Sequence, residues 1–399
     1  MMLQDPRPLS AKRRIYNYIA QNGPLPKAGL RHVASGSDST LTRLLEEMTN
    51  HGLLIADGRG PSSGGRRPTL YRIHPTHRYI FGLEISRLYS ALALFDLQMN
   101  AISSIQWRMD EAMEPEALIA YVQRNAAAFL RDHQIDRQRV LGIGIGAVGP
   151  LDREAGVILE PLHFASKGWT QVPICRLLEE RTGFGARLDN GANAALAGEH
   201  WAMREPELQH MLYVHAGVGV RSAMMSGGQI IRGSVDMEGA VGQMIIQQDG
   251  PRLDPHGNYG ALEAFVSVQA LEQQARSLVK SGRDHLLQQY RIGVEQVNYD
   301  ILLQALGNGD EMVRELFVRS AAHLGIGLAN LINILHPERI VLGGALPNAS
   351  QSYYDTAIEI ALKHTYYYPD YAPVFSKGVL REHAVAAGAA LQLWHELEM

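Results

Sequence analysis

Apolar residues recur with a helical period through Ile15, Tyr18 and Ile19 and again through Leu41, Leu44, Leu45 and Met48. The first set predicts a helix over 13–21 that Gly23 and Pro24 stop, and the second a helix running to Asn50 that Ser37 or Asp38 can cap. Between them, 26–34 reads as a second short helix and Ser35-Gly36 as a tight turn. Beyond Gly52 the runs 53–55 and 69–73 read as two strands flanking a Gly/Ser/Arg-rich tip at 57–67, a wing behind a helix-turn-helix.

From Tyr79 the pattern becomes strand, turn, strand, with strands expected at 79–85, 90–95 and 101–107, a helix over 115–133 and a buried strand at 140–145. A similar opening returns with strands at 211–220, 222–226 and 229–232. Helices are expected at 261–281, 299–306 and 311–335, and a strand at 339–342 leads into Gly343-Gly344. A β-rich opening followed by helices, used twice, predicts an α/β body of two related lobes. The expected domains are 1–76, 77–192 joined by a C-terminal helix over 384–399, and 193–383.

Charge separates the head from the body. Residues 1–75 carry 11 Lys/Arg against 5 Asp/Glu, or +6, and the other 324 residues carry 26 against 36, or -10, of the total of -4. A basic head suits a polyanion. On the expected third helix, Ser37, Ser39, Thr40, Thr42 and Arg43 face away from the apolar stripe, as side chains that read base edges do. Arg59, Arg66 and Arg67 on the tip suit phosphates or a narrow minor groove. The alternative for the tip alone is a solvated basic hairpin.

At 46% hydrophobic and 20% charged the chain can bury sizeable cores, and no apolar run is expected to span a bilayer or act as a leader. The expected location is cytoplasmic, with no membrane partner. The single cysteine, Cys175, excludes an intrachain disulfide and any multi-cysteine metal site, and reads as a small buried apolar residue.

Three ordered motifs carry a resemblance: Gly142-Ile143-Gly144-Ile145-Gly146-Ala147-Val148-Gly149-Pro150-Leu151-Asp152, then Leu188-Asp189-Asn190-Gly191-Ala192-Asn193, then 324–333 with 337–344. The chain resembles the ROK family of repressors and sugar kinases, and its Gly64-Gly65-Arg66-Arg67-Pro68 resembles the wing of the repressor branch. The resemblance implies an actin-like, ribonuclease-H-like body of two lobes with sugar held in the cleft and, in kinases, ATP beside it.

It also shows where kinase chemistry is missing. A sugar kinase needs a carboxylate to accept the hydroxyl proton and glycine-rich loops to hold phosphates. Gly191 stands where the family kinases carry the catalytic Asp. Glu84-Ile85-Ser86-Arg87-Leu88 replaces the first phosphate loop, and His215-Ala216-Gly217-Val218-Gly219 has lost the hydroxyl of the second. At the family's zinc positions stand Gln243, Asp254, His256 and Ala261, and structural zinc takes four N or S donors, so no metal is expected. Candidate ligand residues that remain are Asn190, Gln243 and Glu263, with His163 and Lys167 on a preceding loop that also holds Trp169. The ligand is left open between an unusual sugar, an acidic sugar favoured by Lys167, and none.

These readings converge on a transcriptional regulator, a repressor of carbohydrate-metabolism genes. It pairs a winged head for an operator in double-stranded DNA with a body that senses a sugar-like effector, has no catalytic residue and no cofactor, and forms a homodimer or homotetramer. The alternatives are an oligomeric DNA-binding protein indifferent to ligand and a residual sugar kinase.

Overall fold

In a computed structural model of the protein, residues 9–34, 36–59, 67–233, 238–283 and 285–397 are described. Ser35, Arg66 and most of the expected wing tip lie outside them. The chain divides into two compact units, Met1–Pro206 with Glu382–Met399, and Glu207–Arg381.

Helix α1 (Ala11–Asn22) starts at Ser10, whose Oγ accepts the Arg13 N–H at 3.1 Å, and stops at Gly23, whose φ of +80° suits glycine. The helix expected over 26–34 shrinks to a single 3-10 turn at Lys27–Leu30. Its start is taken by β1 (Leu25–Pro26), drawn into pairing with Tyr71 and Leu70. Helix α2 (Asp38–Asn50) is capped by Ser37 and buries Leu41, Leu44, Leu45 and Met48. Strands β2 (Leu54–Arg59) and β3 (Thr69–Ile73) pair antiparallel, completing a sheet of order β1-β3-β2.

Strands β4 (Tyr79–Ile85), β5 (Tyr89–Asp96) and β6 (Ala101–Arg108) form an antiparallel meander, followed by α3 (Pro115–Asp132). Strand β7 (Val140–Ala147) returns parallel to β4. A small hairpin, β8 (Leu151–Asp152) and β9 (Val157–Ile158), leads to α4 (Ile174–Thr182), β10 (Ala186–Asn190) and α5 (Gly191–Met203). The sheet order is β6-β5-β4-β7-β10. Phe81, Leu83, Leu92, Leu94, Ile143 and Ile145 bury one face under Leu118 and Val122 of α3 and Leu178 of α4.

The second unit repeats this order. Strands β11 (Met211–Ala216), β12 (Val220–Ser226) and β13 (Gln229–Ile230) are antiparallel. The first ends four residues short of the expected 220, because the Gly217 N–H turns back to the Gly219 carbonyl at 3.0 Å. The helix expected over 261–281 is split into a 3-10 turn at Leu262–Ala264 and α6 (Val268–Lys280), since Ser267 starts a new helix by accepting the Ala270 N–H. Then come α7 (His285–Tyr290), α8 (Tyr299–Gly307), α9 (Glu311–Leu335), β14 (Arg339–Gly343), α10 (Ala345–Ala349), α11 (Gln351–Lys363) and β15 (Val374–Ser376). The order β13-β12-β11-β14-β15 is again a meander with two parallel strands added, so the motif occurs twice in the chain. Among the described helices, α9 alone has the length and composition to cross a bilayer. It carries Arg314, Glu315 and Arg319 and buries Leu316, Phe317, Leu324 and Leu328 in the unit's core.

The last helix, α12 (Ala384–His395), belongs to the first unit and is buried along most of its length. Its main chain lies almost on that of β7 and α5. A Cβ at Gly144 would sit 1.9 Å from the Ala389 carbonyl oxygen, and one at Gly388 would sit 1.6 Å from that of Ala194. That contact explains why the division falls after α5, not at the expected 192/193, which would cut the helix. Gly388→Ala sets a side chain against backbone that has nowhere to move, and overpacking costs about 1–3 kcal/mol or more. Urea unfolding of this variant is expected to show at least that loss, whereas Gly307→Ala, with open space around it, stays close to wild type.

Candidate functional site

Three places hold the chemistry: the polar face of α2, the junction of head and body, and the ends of the two large sheets. On α2 the exposed Ser37 Oγ accepts the Thr40 N–H at 3.3 Å and meets Ser39 Oγ at 2.7 Å and Thr40 Oγ1 at 3.1 Å. Thr42 Oγ1 donates to the Asp38 carbonyl at 2.9 Å. The Arg43 side chain is 68% exposed and touches only the edge of Glu47, at 3.5 Å. Asp38 accepts from Lys27 at 2.7 Å and Arg31 at 2.9 Å, and those bonds hold its carboxyl below the usual range. Glu47 is likewise held low, first by Lys12 at 2.5 Å. Several of the head's cations are thus neutralised inside the head, leaving short hydroxyl side chains and one extended guanidinium on the outer face. Arg67 is exposed; Arg59 lies in β2, and its side chain is outside the described set, as is all of Arg66.

One basic residue faces inward. Arg13 is buried on α1, and its guanidinium donates to the carbonyls of Trp394 at 3.2 Å, His395 at 2.7 Å and Leu397. Trp394 and His395 end α12 and Leu397 follows it, and carbonyls at the C-terminal end of a helix attract positive charge. Beside them the fully buried Trp394 packs against Tyr16 of α1 at 5.3 Å and Trp201 of α5 at 4.7 Å, and its indole N–H reaches the Leu97 carbonyl at 2.9 Å. Burial pushes the Tyr16 hydroxyl well above its ordinary range. Arg204, just past α5, donates to the Ala20 and Gln98 carbonyls. The head is therefore bolted to α12 and α5, beyond the chain link at Pro75.

At the carboxyl edge of the first sheet, β4, β7 and β10 end in register, Ile85 beside Ala147 and Ala147 beside Asn190. Such edges are where α/β sheets bind ligands. Asn190 is 1% exposed and serves as N-cap of α5, its Oδ1 accepting the Ala192 N–H at 2.9 Å. Asp189 is engaged by Arg153 at 3.3 Å and by the Asn190 N–H at 2.8 Å. After β4, Ser90 Oγ takes the Ser86 N–H at 3.3 Å and Arg87 donates to the Leu162 carbonyl at 2.7 Å. Half-buried His163 has a φ of +65°, Lys167 is exposed, and Trp169 is buried, stacked on Phe164 and bonded to the Met113 carbonyl. Trp169 shapes the loop from inside, while Lys167 points to solvent.

In the second unit Gln243 and Glu263 meet, the amide donating to the carboxylate at 3.0 Å, and Glu263 accepts the Val220 N–H at 3.2 Å. In the β11–β12 turn, the His215 ring lies so close to Gly217 that a Cβ there would be 2.9 Å from Nε2. What sequence reasoning missed is Arg13, counted with the DNA-facing charges. Its place inside the apolar stripe of α1, between Lys12 and Ile15, was the available signal.

The two large sheets share one strand order, the second opening on the glycine turn 217–219, and a ROK family model matches residues 80–396: the chain belongs to the ROK family. It is similar to the xylose repressor of Caldicellulosiruptor bescii, 24% identical over 378 residues that cover 94% of this chain and 93% of that protein. A ROK transcriptional regulator described as a homolog of the E. coli MLC protein matches with a TM-score of 0.76 and 20% identity, over 97% of this chain and 96% of its own. The ROK hexokinase of Thermus thermophilus matches with a TM-score of 0.62 and 27% identity, over 80% of this chain and 98% of its own.

The bolted junction has a measurable weight. Arg13→Met removes charge-assisted bonds and strands carbonyls of α12, and is expected to lower the unfolding free energy by about 2–3 kcal/mol in urea. Lys27→Ala, at an exposed pair, is expected to stay within about 1 kcal/mol.

Proposed function

We propose that this protein is a transcriptional repressor of carbohydrate-metabolism genes whose body senses a sugar-like effector and performs no phosphoryl transfer. The observation that carries the reading is the polar, outward face of α2, on a head fixed to α12 and α5 of the body, and we read that head as a winged helix-turn-helix. Ser39, Thr40, Thr42 and Arg43 read base edges in the major groove, Ser37 fixes the helix start, and Arg59, Arg66 and Arg67 hold phosphates or the minor groove. Two heads are needed for a palindromic operator, so the working form is a homodimer or homotetramer in the cytoplasm. The name of the Caldicellulosiruptor relative supports a sugar as effector.

The missing chemistry supports a sensor over an enzyme. Gly191 has no proton acceptor, Asp189 is taken by Arg153, and the first phosphate turn is filled by its own side chains. A nucleotide's phosphates need free backbone amides, and the Ser86 N–H is already bonded. Within the first unit, Asn190 is the first candidate for the sugar's hydroxyls, with His163 and Lys167 on the neighbouring loop. A ligand at Asn190 sits on the cap of α5, whose far end carries Trp201 against Trp394 and so reaches Arg13 and the head. Occupancy of the cap thus biases the seat of the head.

In fluorescence anisotropy with an operator found by in vitro selection, Arg43→Ala is expected to cost about 1–3 kcal/mol and relax one base position. Arg67→Ala should weaken binding to all sequences and flatten the salt dependence by about one charge; equal losses with the salt slope unchanged would contradict this division of roles. A coupled kinase assay with ATP and common hexoses or amino sugars should give no turnover. Sugar phosphorylation abolished by Asn190→Ala would refute the sensor.

A further inference from the structure

Zinc-binding members of the family, as the resemblance has it, place a structural metal at the positions held here by Gln243, Asp254, His256 and Ala261. These residues do not fit one. Ala261 has no donor atom. Asp254 Oδ1 accepts the N–H groups of His256 at 2.8 Å and Gly257 at 3.1 Å. Gln243 is engaged at both ends of its amide: Nε2 donates to Glu263 at 3.0 Å and Oε1 accepts the Asn258 N–H at 2.8 Å. One imidazole is left where four N or S donors are needed, and no group of three metal-ligating side chains occurs among the described residues. The one thiol, Cys175, is buried in the other unit, and burial pushes it up to about 12.

We propose that Gln243 does by hydrogen bonding what the metal does in those relatives: it clasps the 251–260 loop to Glu263 and makes the second unit independent of metal and of thiol oxidation. The loop's base closes without help, through the Gly260 N–H to Pro251 at 2.8 Å, the Ile246 N–H to Gly260 at 2.9 Å and the Leu262 N–H to Met244 at 2.7 Å. What the base cannot fix is the outer part of the loop, and that is where Gln243 acts twice. Its side chain holds the Asn258 N–H while its own carbonyl accepts Asn258 Nδ2 at 3.0 Å. Through Glu263 the clasp continues to the Val220 N–H at the β11–β12 turn. A carboxamide suits this place because it donates to a carboxylate and accepts from an amide at once, without a change of protonation. A glutamate would oppose Glu263, and an apolar residue would take from Glu263 one of its donors and from the Asn258 N–H its acceptor.

The test uses the full chain and reads stability, so it stands or falls apart from the DNA-reading proposal. Melting of the wild type in EDTA, in 1,10-phenanthroline, with equimolar zinc and after peroxide is expected to stay within about 1 °C, and purified protein is expected to carry no stoichiometric zinc. Gln243→Met, similar in length but without the amide, is expected to melt about 2–4 °C lower and to exchange the Asn258 amide hydrogen faster. A chelator that lowers the melting temperature of the wild type, one bound zinc per chain, or a Gln243→Met protein that melts and exchanges like the wild type would each overturn the proposal. The chelator arm decides by itself if the variant does not fold.

Discussion

A buried guanidinium on the first helix, giving its hydrogens to carbonyls at the end of the last, holds the two ends of this chain together. Burying a charge is costly unless its hydrogen-bonding capacity is met, and the carbonyls at the end of α12 and just beyond it meet it. Because the bonds are directional, they fix orientation as well as proximity. Trp394 adds the apolar part of the same joint, filling the space between Tyr16 and Trp201. A head on a loose tether would search for DNA independently of its body. One held in this way moves when its seat moves.

The seat is built from small residues. Alanine and glycine along α12 allow its backbone to lie on β7 and α5 at distances that any larger side chain would forbid, as Gly144 and Gly388 show. Closely packed backbones respond as rigid bodies, because there is little side-chain volume to absorb a shift. Helix α5 thus spans two places: its first turn is capped by Asn190, at the carboxyl edge of the first sheet, and its last carries Trp201. Gly191 offers no proton acceptor at the start of α5, and in the turn after β4 Ser90 and Arg87 bond to main-chain atoms.

Elements with a strong period were legible in the sequence. Strand 79–85 and helix 311–335 have the expected bounds, and the repeated β opening was visible because each copy has its own alternation and turn. Tertiary demands decided the rest. Pairing with β3 took the start of the expected second helix, a demand no local window contains. The glycine turn at 217–219 cut short a strand whose apolar run looked continuous, and Ser267 divided a helix whose period ran through it. Site residues were legible by type more than by task. Asn190 reads as a ligand and is first a helix cap. Gln243 reads as a replacement sugar contact and is bound to Glu263 and Asn258, and the cationic tally of the head included an arginine that faces α12.

The account's central claim is that a ligand at the cap of α5 changes operator affinity through the Arg13 joint, with no covalent chemistry between. Titrating sugars and sugar acids into the operator complex of the wild type and of Arg13→Lys, by fluorescence anisotropy, tests it most directly. The account predicts an effector that shifts wild-type operator affinity by about 5–150-fold and shifts that of Arg13→Lys much less, though the variant still binds the effector. An effector that binds both proteins and leaves operator affinity unchanged, or changes it equally in the two, would contradict it.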